Sequence, residues 1–82
     1  MSKEQATKEF TEKVFHLHEV DYGDFKRKVG LYISRLEESF GPEAKSHQAL
    51  FNELRTQVIF SPTGDVEETR SLVLGLVRDR LS

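Results

Sequence analysis

Three histidines, His16, His18 and His47, are the chain's nitrogen donors for a metal or a proton shuttle, and there is no cysteine. Without a thiol there is no disulfide, no thiolate metal site and no cysteine nucleophile. His16 and His18 stand two apart in a helical pattern, so their side chains diverge by roughly 200° and cannot grip one ion together. His18 with Asp21 or Asp24, or with His47 across a core, offers donor types that suit zinc, yet no ligand-spacing motif accompanies them. The expectation is no metal site, with His18 at a core boundary and His47 a core-facing histidine held by a hydrogen bond.

Nucleophilic catalysis has even less to work with. The serines lack a strand–turn–helix elbow or a glycine-rich loop to present amides. Ser46 and His47 are adjacent, and neighbours on a helix do not face each other. Glu37-Glu38 reads as a solvated face, and Glu67-Glu68 as the acidic first turn of a helix. Ser61-Pro62-Thr63-Gly64-Asp65 is a turn running into that helix start. Helix N-termini attract anions, but Asp65, Glu67 and Glu68 already fill this one with negative charge. No catalytic residue, cofactor site or enzyme is expected.

What remains is surface recognition. Leu31 lies on the wrong face of an otherwise clean amphipathic segment, ringed by Arg27, Lys28 and Arg35. An apolar residue among arginines has the make-up of an interface anchor. Phe15 is a second large apolar residue off its stripe. Gly75, in mid-helix, costs about 1 kcal/mol relative to alanine, so either another backbone approaches it along Ser71, Gly75 and Arg78 or the position is weakly constrained. Lys26, Arg27, Lys28 and Arg35 make the second helical segment the most basic. Against Asp24, Glu37 and Glu38 that leaves a net of only +1. Strong non-specific DNA binding takes about six to ten phosphate contacts. Nucleic acid is therefore the alternative partner and another protein, or a second copy, the first.

These side chains must be positioned by helices. The chain has 82 residues, of which 37% are apolar and 32% charged, with a net charge of −2. That is one small domain with a thin core, since a chain this short buries only about 60% of its unfolded surface. Apolar spacing predicts four helices, about 3–18, 22–40, 43–58 and 65–81. The stripes are Ala6, Phe10, Val14 and Leu17, then Phe25, Val29, Tyr32, Ile33, Leu36 and Phe40, then Ala44, His47, Leu50, Phe51, Leu54 and Val58. Ser2, Asp21 or Asp24, and Asp65 are the predicted N-caps, and Gly41-Pro42 the predicted stop between the second and third helices. Ile59 and Phe60 are expected to fold over one end of the core, with room for a short 3₁₀ turn at Phe60. The fourth segment spreads Val66, Leu72, Val73, Leu74, Leu76, Val77 and Leu81 over an arc of roughly 200°, twice the usual stripe. It is therefore predicted to be the central helix.

Similar lengths and short connections predict an all-α domain, either a compact up-down-up-down four-helix bundle or a set of crossed helices. No run reaches the ~18 to 20 apolar residues of a membrane span. Residues 1–5 lack the apolar core of a secretory signal. The expected setting is the cytoplasm, with no membrane partner. The expected role is a small helical protein–protein interaction module, as a homodimer, an adaptor or an inhibitor or immunity-type protein. It docks through a helix face carrying Phe15, Arg27, Lys28, Leu31 and Arg35. The alternative is a nucleic-acid-associated regulator using the basic surface of the second helix.

Overall fold

The computed structural model describes residues 2–17, 21–60 and 64–81. It contains four α-helices, α1 (Lys3–Phe15), α2 (Tyr22–Phe40), α3 (Gln48–Ile59) and α4 (Val66–Leu81), with a 3₁₀ segment over Gly41–His47 joining α2 to α3. Among the described residues there is no strand.

Helices α1, α2 and α4 start where a side chain satisfies a free amide, whereas α3 follows the 3₁₀ segment without a side-chain cap. Ser2 Oγ accepts from the Gln5 N–H at 3.1 Å, and Asp21 Oδ1 accepts from the Asp24 N–H at 2.8 Å. Asp65 accepts twice, through its carboxylate from the Glu67 N–H and through its carbonyl from the Thr69 N–H. The stop after α2 is Gly41, whose φ of 59° is a conformation that favours glycine.

Packing forms a closed ring, with α1 against α2 and α4, and α3 against α2 and α4. Consecutive helices run antiparallel. Lys3 at the start of α1 sits by Phe40 at the end of α2, and the Tyr22 hydroxyl at the start of α2 donates to the Val58 carbonyl near the end of α3. Arg80 in the last turn of α4 pairs with Glu53 in α3. This is the up-down-up-down bundle that the element lengths imply.

The interior is built on α2. Phe25, Val29, Ile33, Leu36 and Phe40, spaced by three or four residues, are all buried, and Phe25, Val29 and Ile33 are sealed completely. Phe10 and Val14 from α1, Phe51, Leu54 and Val58 from α3, and Val73 and Val77 from α4 close around them. No buried side-chain nitrogen or oxygen among the described residues lacks a hydrogen-bond partner.

Five expectations change. The fourth helix is not central, for it has two neighbours like each of the others and buries only Thr69, Val73 and Val77. Its wide arc is a buried centre with partly covered flanks, Val66, Leu74, Leu76 and Leu81, and an open edge at Leu72, which is 45% exposed. Ile59 and Phe60 do not cover the core. They are 50% and 75% exposed, because Val58 already fills the last inward position of α3. The 3₁₀ turn is not at Phe60, which simply ends α3, but at Gly41–His47. For that reason α3 begins at Gln48 rather than near 43. With only Ala44 and His47 half-covered, the segment lacks a stripe to hold an α-helical period, and the tight corner between antiparallel helices winds it more closely. Finally, α1 ends at Phe15, three residues early, and His18 lies outside the described residues.

Candidate docking surface

The outward line of α2 is the face left over once its apolar stripe is buried. Leu31 stands at its centre, 51% exposed although it is a leucine in mid-helix. Taking 100° per residue, Asp24, Arg27, Arg35 and Glu38 all fall within roughly 40° of it around the helix axis. A shallow concavity surrounds Leu31, lined by Arg27, Lys28, Gly30, Tyr32, Ser34 and Arg35. A Cβ added at Gly30 would meet nothing within 4 Å. The absent side chain thus leaves open space beside Leu31.

Charge on this face is arranged rather than scattered. Arg27 pairs with Asp24 one turn back, at 3.0 Å. Lys26, Lys28 and Arg35 make no salt bridge among the described residues. Towards α1 the face continues over the Tyr32 ring, on which the Lys13 ammonium sits 5.5 Å from the centroid. Beyond Tyr32 lies an open groove of about 420 Å³, with Ala6, Phe10 and Leu36 as its apolar lining and a mixed-charge border of Glu9, Lys13, Arg35 and Glu38 beside Tyr32 and Ser39; Lys13 there pairs with Glu9. Tyr32 and Arg35 line both hollows, so the two form one continuous surface on α2 and its border with α1.

Of the residues expected to carry recognition, Arg27, Lys28, Leu31 and Arg35 come together here, whereas Phe15 does not. Phe15 is exposed, but at the end of α1 that abuts α4. There Arg70 brings its guanidinium 6.0 Å from the ring and donates to the carbonyls of Phe15 and Leu17 at 3.3 and 3.2 Å. The Phe15 ring thus lies beside the Arg70 guanidinium that caps the C-terminus of α1, and stays half-exposed. Gly30 and Ser34 belong to the surface and were not singled out from sequence, and Tyr32, expected on the buried stripe, is half-buried and lines both hollows. A signal for Gly30 existed, namely a glycine inside a helix next to an off-face leucine, the same one that drew attention to Gly75. At Gly75 the structure shows no backbone approaching. The nearest atom to an added Cβ is the Arg78 guanidinium at 4.0 Å.

The two described histidines stand apart. His16 lies edge-on to Phe15 at one end of the bundle and His47 edge-on to Phe40 at the other, each at 5.2 Å between ring centroids. His47 is half-buried against this ring, and no side-chain hydrogen bond of His47 is found among the described residues. Glu37 pairs with Arg55 of α3 at 2.6 Å, and Glu67 with Arg70. Among the described residues no three histidine, aspartate or glutamate side chains converge as metal ligands, and no helix is long and apolar enough to cross a membrane.

Comparison with protein-family models, with curated proteins and with solved structures finds no match for this chain.

Proposed function

We propose that the protein is a small helical interaction module that docks another protein through the outward face of α2. One observation carries this reading: Leu31 is half-exposed at the centre of a shallow, cation-flanked hollow, where a partner could bury the rest of its side chain. Leu31 is the anchor. Lys28 and Arg35 supply charge complementarity, and open space at Gly30 lets a partner come close.

The second reading, a nucleic-acid-associated regulator, draws on Lys26, Lys28 and Arg35, the cations of α2 that form no salt bridge among the described residues. Three cations fall short of the six or more phosphate contacts that give strong backbone binding, and Asp24 and Glu38 lie on the same line of the helix.

Leu31→Asp separates the two. Leu31 belongs neither to the core nor to the side chains packed against it, so the variant should keep its stability within about 0.5 kcal/mol. It should lose its protein partner by tenfold or more in a quantitative pull-down against the wild type. Undiminished capture by Leu31→Asp would refute docking through α2. Binding that survives the substitution but falls linearly with log salt would identify a phosphate backbone instead.

A further inference from the structure

We infer that the occupant of the α2 face is an acidic amphipathic helix of a different chain, and not a second copy of this one. The inference rests on the docking reading above and adds the partner's chemistry. It comes from the order of charges along the face. Counted from Leu31, Arg27 and Arg35 stand four residues before and after, and Asp24 and Glu38 seven before and after. All five project outward from a single continuous helix. The pattern reads acid, base, leucine, base, acid, the same in both directions.

That symmetry disfavours the obvious homodimer. An antiparallel two-fold pairing with leucine on leucine sets Arg27 against Arg35 of the other copy, and Asp24 against its Glu38. A parallel pairing in register sets each charge against itself. Both directions put like on like, which opposes association. Sliding one copy until Arg27 meets Glu38 moves Leu31 onto Ser34 and gives up the leucine contact.

The complement of this face is a helix with an apolar residue flanked by carboxylates three or four positions on either side, and with cations rather than carboxylates about seven positions out, where Asp24 and Glu38 stand; a continuous phosphate backbone cannot make that exchange. Its carboxylates meet Arg27, Lys28 and Arg35, and its apolar residue sits beside Leu31 over Gly30 and Ser34. The face from Asp24 to Glu38 runs for about 21 Å at 1.5 Å per residue, close to four turns. A straight, helical ligand fits that run, and the missing Cβ at Gly30 lets its backbone approach closely.

The experiment is selection of helical peptides, displayed on phage with one face fully randomised, against the intact protein. The strongest binders are then measured by fluorescence anisotropy on wild type, Leu31→Asp and the double variant Arg27→Glu, Arg35→Glu. The expected result is enrichment of Asp and Glu three or four residues either side of an apolar position, with affinity falling about tenfold or more in both variants. Enrichment of neutral or basic peptides that still require Leu31 overturns the acidic partner while leaving docking through α2 intact. Peptides indifferent to Leu31→Asp, or no enrichment at all, overturn the inference, and the former overturns the docking reading with it. Light scattering on the same samples decides the self-association question. A stable dimer that Leu31→Asp dissociates also overturns the acidic partner.

Discussion

Replacing Gly30 by alanine should make the protein more stable and its docking weaker. Gly30 lies in the interior of α2, with about eight residues of helix on either side, and its backbone is ordinary helix without a positive φ. Glycine at such a site costs about 0.8 to 1 kcal/mol relative to alanine, mainly because the unfolded chain has more freedom to lose. The new methyl group meets no atom within 4 Å, so nothing offsets the gain. For 82 residues the unfolding entropy is about 0.17 kcal/mol per kelvin, so the gain corresponds to a rise in Tm of about 5 to 6 °C. Scanning calorimetry or thermal circular dichroism reads it directly. A Tm that is unchanged or lowered would refute the reasoning, because it would mean that the space beside Leu31 is filled or the helix interrupted there. Gly75→Ala is the control. The added Cβ lies 4.0 Å from the Arg78 guanidinium, an ordinary contact, so Tm should rise by a similar amount. Only the substitution at Gly30 should weaken partner binding, since only that one fills the docking surface.

Three further perturbations probe the scaffold. Tyr22→Phe removes the 2.5 Å hydrogen bond to the Val58 carbonyl, one of the last four of α3, and should lower stability by about 1 kcal/mol in a urea titration. Arg70→Ala strips the donor from the carbonyls of Phe15 and Leu17 and should cost about 1 to 2 kcal/mol by the same assay. Arg70→Lys should recover only part, because an ammonium cannot reproduce the forked geometry. Phe51→Ala empties a fully buried site against Phe40 and should cost about 3 to 5 kcal/mol, enough in a domain this small to abolish cooperative unfolding near 37 °C.

The stripes of α1, α2 and α3 were legible because apolar residues there recur at three or four residues and almost nothing apolar interrupts them. Caps at Ser2, Asp21 and Asp65 were legible for a similar reason, since short oxygen-bearing side chains before a periodic run have a single local use. The fourth helix misled because a wheel counts residue types, not neighbours. Its leucines flank a narrow buried line through Thr69, Val73 and Val77, and a buried threonine gives no apolar signal. Ile59 and Phe60 misled for the opposite reason. Local apolarity argued for burial, but the helix phase set by Val58 turns them outward. The winding of Gly41–His47 depends on the corner between two packed helices, which no local pattern records. On the surface, Leu31 and its cations were visible as an exception to a clean periodicity. Phe15 shared that signature, but it stands apart from the α2 face beside Arg70, which is 55 residues away in sequence.

The most direct test of the account is photo-crosslinking from the face itself, with a benzoylphenylalanine in place of Leu31 and, as control, in place of Glu12 on α1. The substituted ring keeps the site apolar and reacts only with what lies against it. The account predicts a crosslinked product from position 31, absent from the control, in which the added mass belongs to a different protein rich in acidic residues around the joined segment. A position 31 that yields no more product than position 12, or a product of twice the protomer's mass, would contradict it.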